Sequence, residues 1–381
     1  MKEEISSLLL YHIIKELQIL KEGKLDKLYQ MPDHDFYLQF HVTGRGKQLL
    51  RVVPGKYLYL TTGKPDSPQT PLGYCMYLRK YLHSARLKAV QQKEFERIIE
   101  FVFEVKEETI KTRKLVVELF SKGNILLLDD QNKIMSPLET QVWKDRTIRA
   151  KEPYVYPKKE YNIREMDKPM LKKLCHTTTK DSLVTCFAMD LGLGGAYAEE
   201  LCLLAKLKKV KKPRDIQDTE IDHVFEAFDS LLNTVLKPAI VYTSELPKQV
   251  LNIIPFPLQV YEGHETKDAA SLNAALDEVF TTITFEKAAQ AEKKVKNTKL
   301  DKVEVIITEQ QKRVNGLQKE AEEGQRKGEL LYENYPVVTE ILATIKKARE
   351  KYTWAEIKEK LKGNTVVVGI DEKEGTVMVD L

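Results

Sequence analysis

"LGLGGAYAEELC", Leu191 to Cys202, joins two apolar helical runs through a turn in which glycines flank a single leucine. A turn of the form apolar-Gly-apolar-Gly between two helices is the helix-hairpin-helix pattern. Gly192 and Gly194 let the backbone turn sharply and approach a ligand with no Cβ in the way. The N–H groups at the start of the second helix, together with its dipole, suit a phosphate oxygen. Leu193 is expected to plug the space between the helices. A ligand-free αα-hairpin would use the same turn, so the motif alone leaves both readings open. The run that follows, "AKLKKVKKPR", sets Lys206, Lys208, Lys209, Lys211, Lys212 and Arg214 beside the hairpin. A charge run is usually a solvated face. Next to a phosphate-ready turn, this one reads as a contact with a polyanion.

Around the hairpin lies a chain of 381 residues, a length that suggests two or three domains. Apolar residues make up 42% and charged residues 31%, enough to build a core. With 61 basic against 57 acidic residues, affinity for nucleic acid has to come from local patches. Cys75, Cys175, Cys186 and Cys202 form no C-x-x-C pair and read as buried thiols in a reducing compartment. The opening "MKEEISSLLLYHIIKEL" is acidic and amphipathic, unlike a signal peptide. No apolar run approaches membrane-spanning length, so a soluble, cytoplasmic protein without membrane partners is expected.

Texture changes along the chain. Ile5 to Leu20 reads as a helix, and "DFYLQFHV", "KQLLRVV" and "KYLYLTT" read as antiparallel strands between Gly and Pro punctuation. A second helix, "GYCMYLRKYL", precedes the strands "FERIIEFVFEV", "TRKLVVELF" and "GNILLLDD", with turns at Lys122-Gly123 and Gln131-Asn132. Residues 1–155 thus form an α+β unit, and "AKEPYVYPKKEYN" is a Pro-interrupted connection. Helices follow to Leu236, then a short β section and the helical "SLNAALDEVFTTI". From Phe285 the composition turns to Lys, Glu and Gln. One seam of a heptad pattern holds Leu300, Ile307, Val314, Ala321, Gly328 and Tyr335; the other holds Val303, Gln310, Leu317, Gly324, Leu331 and Val338. This predicts a coiled-coil arm from Phe285 to Asn334, on the order of 75 Å long. Pro336 is expected to end or kink it and to open the next helix. The closing "NTVVVGIDEKEGTVMVDL" reads as a hairpin.

Enzymatic motifs are missing. Gly192, Gly194 and Gly195 lack the strand-helix context of a dinucleotide fold, "GRGKQ" has the wrong spacing for a phosphate loop, and no G-x-S-x-G or H-E-x-x-H occurs. The seven histidines are isolated, and Cys175-His176 completes no metal set. No catalytic residue, cofactor or metal is expected.

Taken in order, "GKLDKLYQ", "LRKYLHSARL", "FERIIEFVFE", "ELFSKGNILLLD", "LGLGGAYAEELC" and "SLNAALDEVF" resemble the NFACT family. These are the NEMF/RqcH-type ribosome quality-control factors, also called fibronectin-binding proteins A. The resemblance covers nearly the whole chain. It implies an α+β fold with an N-terminal domain similar to formamidopyrimidine-DNA glycosylases (residues 1–170) and a helix-hairpin-helix domain (171–238). A short β section and helix (239–284), a coiled-coil arm (285–350) and the start of a middle domain (351–381) complete it. The implied function is binding of a large ribosomal subunit obstructed by peptidyl-tRNA, with recruitment of tRNA to extend the stalled nascent chain without a template. Peptide bonds would then be made by the ribosome, not by this chain. The same resemblance places tRNA contacts at Glu96, Arg97, Arg79 and Lys80.

This sequence departs from the family pattern at three places. Glu96-Arg97 stands where the family often has Asp-Arg, and Leu8, Leu9 and Leu10 stand near a usual acidic position. The return arm and the C-terminal RNA-binding NFACT-R domain do not follow Leu381. The sequence is therefore a fragment or a short form, in which case a separate chain is expected to supply them. Glu96-Arg97 opens the strand "FERIIEFVFE", where alternation is expected to put Phe95, Arg97 and Ile99 on one face and Glu96 and Ile98 on the other. Arg97 then either packs its stem and pairs with a nearby acid or contacts tRNA with its planar fork, with Glu96 orienting it or reading a base amine. Two other classes stay open. A glycosylase-fold DNA-repair protein would share the fold, but Met1-Lys2-Glu3 offers no N-terminal proline nucleophile. A fibronectin-binding adhesin is suggested by the family's second name alone.

Overall fold

The computed structural model describes residues 4–144, 146–371 and 373–381, with side chains described at all of these except 286–301. The chain divides into two units, Met1–Ala288 and Ala289–Leu381.

The first unit begins with helix α1 (Ser7–Leu17), whose N-cap Ser6 accepts a hydrogen bond from the Leu9 N–H. The expected helix from Ile5 to Leu20 thus starts at Ser7 and tightens into a 3-10 turn over Gln18–Leu20. Its run of three leucines is buried all round, as a helix enclosed by protein requires. Leu9, Leu10 and Ile13 enter one core and Leu8 another, so α1 is shared between them.

Four strands follow: β1 (Lys24–Gln30), β2 (Phe36–Val42), β3 (Gly46–Val53) and β4 (Tyr57–Thr61). Helix α2 (Gly73–Leu82) leads to β5 (Arg86–Gln92), β6 (Ile98–Lys106), β7 (Ile110–Glu118), β8 (Asn124–Leu128) and β9 (Ile134–Pro137). All pair antiparallel in one nine-stranded sheet, β4-β3-β2-β1-β5-β6-β7-β8-β9. The two meanders meet at β1 and β5, where Lys24 faces Arg86. A small hairpin, β10 (Gln141–Val142) and β11 (Thr147–Ile148), follows the sheet.

Next come α3 (Lys168–Thr177), α4 (Leu183–Met189), α5 (Gly195–Leu204) and α6 (Asp218–Asn233). The three-stranded sheet of β12 (Ala239–Tyr242), β13 (Val250–Ile254) and β14 (Thr266–Asp268) has the order β13-β12-β14. Period-2 alternation lets this sheet serve both cores. Ile240 and Ile253 face the first, while Ala239, Val241 and Ile254 face the helices.

Helix α7 runs from Leu272 to Glu333, so "SLNAALDEVFTTI" and the stretch from Phe285 are one helix rather than two. The Glu16 carboxylate accepts from the Leu272 and Asn273 N–H groups at 2.8 and 2.9 Å, meeting orphan donors at the positive end of the dipole. Phe280 stacks on Tyr57 at 3.9 Å between centroids, and the Phe280 carbonyl accepts from Arg51, which is itself paired with Asp35 inside the core.

In the second unit, α8 (Tyr335–Arg349) has Pro336 in its first turn, where the missing N–H costs nothing. It packs with α9 (Trp354–Lys360) and the hairpin β15 (Val367–Asp371) and β16 (Thr376–Val379) around Ile357, Val367 and Ile370. Along α7, the seam residues Val303, Ile307, Val314, Leu317 and Leu331 are exposed. The seam position Leu300 lies outside the residues whose side chains are described.

Candidate nucleic-acid interface

At the end of α4, Gly192 and Gly194 both take left-handed φ, +71° and +77°. That conformation lets the Leu193 and Gly194 N–H groups fold back onto the Phe187 and Ala188 carbonyls at 3.4 and 3.1 Å, closing the helix end. Leu193 is 1% exposed, the plug between α4 and α5 that its position suggests. Gly194 is then the N-cap of α5 and offers no side chain, so the first-turn N–H groups of α5 receive no side-chain cap.

The basic run is knitted to this pair of helices by its backbone. Carbonyls of Lys211 and Lys209 accept from the Leu183 and Val184 N–H groups at the start of α4, at 2.8 and 3.2 Å. Its side chains divide into two sets. Lys211 donates to both oxygens of Glu220 at 2.5 and 2.6 Å, and Lys209 reaches Glu199 at 3.3 Å. Burial works to raise the Glu220 pKa, but hydrogen bonds from Lys211 and from the Gln217 N–H outweigh it and hold the carboxyl below its ordinary value. Lys206, Lys208 and Lys212 are exposed and have no ion pair among the described residues.

Glu96 and Arg97 do not sit on a strand. Strand β6 begins at Ile98, and Glu94 and Phe95 before it take left-handed φ of +46° and +61°. The alternation expected of "FERIIEFVFE" therefore fails at its start, and Phe95, Ile98 and Ile99 are all buried. A left-handed residue costs about 1–2 kcal/mol. Burying Phe95 in the helical core contributes about 1.5–3 kcal/mol and offsets most of the cost of the two such residues. In this turn the Glu96 N–H donates to the Lys93 carbonyl at 2.7 Å, and the Arg97 carbonyl accepts from Leu119 at 2.8 Å. Both side chains already have a counter-ion. Arg97 Nη1 donates to Glu4 Oε2 at 2.7 Å, and Glu96 Oε1 lies 2.7 Å from Lys159 Nζ.

These turns meet. Glu96, Arg97, Gly192 and Gly194 line one cleft of about 920 Å³, together with Lys159 and the start of α1. Glu4, Ser6, Lys159 and Tyr161 belong to it and had escaped the sequence reading; the basic pair Lys158-Lys159 in the Pro-interrupted connection was their only local sign. Leu9, on α1, also lines the cleft. Arg79 and Lys80 lie elsewhere, on α2. Arg79 Nε donates to the Leu28 carbonyl at 2.8 Å and its guanidinium lies over Tyr29, so much of this side chain is committed to packing. Lys80 is exposed, with Nζ 5.3 Å from the Tyr81 ring centre. Among the described residues no three metal-capable side chains cluster, and no helix is long and apolar enough to cross a membrane.

Residues 6–377 match the family model described as NFACT N-terminal and middle domains. The archaeal Rqc2 homolog aRqcH of Methanocaldococcus jannaschii is 32% identical over 400 residues, covering all of this chain and 58% of the relative. The human protein named ribosome quality control complex subunit NEMF is 23% identical over 386 residues, covering 94% of this chain and 35% of that one. The chain thus spans about a third to three fifths of these two relatives. A solved structure, the N-terminal part of the fibronectin/fibrinogen-binding protein from Streptococcus suis, superposes with a TM-score of 0.60 at 21% identity. It covers 73% of this chain and all of that one, a likeness of fold.

Proposed function

The chain belongs to the family of NFACT N-terminal and middle domains, and from that premise we propose that it is an RNA-binding ribosome quality-control factor of the cytoplasm. Its partners are the large ribosomal subunit obstructed by peptidyl-tRNA and the tRNA recruited to extend the stalled chain without a template. In this reading the protein binds and positions, and the ribosome makes the peptide bonds. The names of the archaeal and human relatives support the family role. The observation that carries the RNA reading is the cleft, which unites Glu96-Arg97 with the hairpin Gly192–Gly194 although the two lie far apart in sequence. The turn serves as a helix-hairpin-helix contact for RNA backbone, flanked by Lys206, Lys208 and Lys212. Co-sedimentation with large subunits, followed by sequencing of the bound RNA, tests it. Recovery of tRNA with subunits supports the proposal, and migration of the chain free of both refutes it.

A further inference from the structure

Lys159 occupies an uncommon position. It sits in the connection before α3, yet its side chain is only 10% exposed. A buried ammonium is costly unless its charge and its donors are both met. Glu96 meets the charge at 2.7 Å, but without hydrogen-bond alignment, and Nζ has no hydrogen-bond partner among the described residues. Two residues on, Tyr161 is 6% exposed and its hydroxyl likewise has no partner. Both residues line the cleft. Buried donors left unused beside an open cleft mark a place where an acceptor from outside would fit.

The position of the ammonium indicates which acceptor. A Cβ built on Gly192 would come within 3.1 Å of Lys159 Nζ, so the charge rests against the bare hairpin turn. Across that turn begins α5, ten residues long, whose first-turn N–H groups have no side-chain cap. A tetrahedral anion seated there would receive hydrogen bonds from the helix end and from Lys159 together.

We propose that Lys159 and the start of α5 form a phosphate site in the cleft, and that Glu96 is the internal counter-ion which an RNA phosphate displaces. The proposal rests on the RNA-binding reading above and assigns Glu96 a different part from base recognition. Exposure decides which partner leaves. Glu96 is 28% exposed and can turn its carboxylate into water, whereas Lys159 is shut in by the connection and the turn. At Lys159 one phosphodiester charge replaces one carboxylate charge, so the ammonium keeps a single counter-ion. The balance of the exchange is therefore close, and removing the competitor should tighten binding. Arg97 is held by Glu4 through a separate pair and stays available to a second group of the same ligand.

The test measures binding of labelled unfractionated tRNA to the full chain by fluorescence anisotropy across a salt series. Glu96→Gln keeps the shape and removes the charge; the proposal requires it to tighten binding, by roughly 3- to 10-fold for a partly screened pair. Lys159→Met should weaken binding and lower the log–log salt slope by less than about 0.9, the share of one unpaired phosphate contact, because Lys159 must first give up Glu96. Lys159→Arg should retain most of the affinity. In the Lys159→Met background Glu96→Gln should have no further effect, because the competition has gone. Thermal melting of each variant confirms the fold, and a Lys159→Met that fails to fold leaves Glu96→Gln and Lys159→Arg to decide. Weaker binding by Glu96→Gln would show that Glu96 itself touches RNA and would overturn the proposal. So would tRNA binding indifferent to both residues, while leaving the RNA-binding reading intact. Absence of tRNA binding by the unaltered chain would remove that reading and the phosphate site with it.

Discussion

Replacing Lys206, Lys208 and Lys212 together by Gln should weaken RNA binding far more than replacing Lys209 and Lys211. The sequence presents these five lysines as one basic run, but the fold neutralises two of them. Lys211 is clasped by Glu220 and Lys209 reaches Glu199, whereas the other three point outward without an ion pair among the described residues. Each phosphate contact contributes about 0.9 to the slope of log affinity against log salt on duplex backbone. Loss of three contacts therefore flattens the slope by up to about 2.7. The Lys209 and Lys211 double variant should lower it by less than about 0.9, since each lysine would first have to give up its acid. Its cost should fall on stability instead, at about 0.2–1 kcal/mol per pair, the range for partly exposed ion pairs. Filter binding of unfractionated tRNA at a series of salt concentrations measures the slopes, and urea titration measures stability. Equal slopes for the two variants would refute the division into paired and free lysines. A triple variant with the slope of the unaltered chain would reduce the run to a solvated face.

Arg97→Ala should lose tRNA binding while keeping association with large subunits, as separated by sedimentation; joint loss of both together with melting temperature would make Arg97 a scaffold residue. Gly194→Val forces a β-branched residue into φ of +77° and should lower the melting temperature, because the turn that closes α4 cannot form unstrained. His12 is fully buried, with Nε2 3.0 Å from the Leu231 carbonyl, and desolvation lowers its pKa from 6.5 to about 4, the carbonyl opposing and Lys15 assisting. The unfolded state binds the proton more readily, so this contribution is whole above pH 6.5 and is lost as pH falls toward 4, by about 3 kcal/mol; His12→Gln should flatten that part of the urea-midpoint profile. The exposed seam of Val303, Ile307, Val314 and Leu317 should pair with a second copy or a return arm, so sedimentation equilibrium that shows a concentration-independent monomer would count against it.

Local chemistry determined much of this protein from the sequence alone. Apolar spacing placed α1 and α2, turn pairs placed the hairpins of the sheet, and Pro336 placed the start of α8, because each depends on neighbours within a few residues. Gly192 and Gly194 announced a sharp turn for the same reason, and the structure makes it with left-handed φ at both. The start of β6 was not legible. "FERIIEFVFE" alternates well enough for a strand, and only the burial of Phe95 among the helices pulls its first residues into a turn. Whether a lysine is free or paired was equally hidden, since Glu220 and Glu199 reach the basic run from separate helices. The cleft depended most on tertiary structure. Arg97 meets Glu4 across 93 residues, and Lys159 meets both Glu96 and Gly192. Such contacts arise because α1 and the small sheet serve two cores at once and draw distant turns together. A sequence records the preference of each segment; which charges end up facing one another is decided by how the apolar faces of those segments are buried.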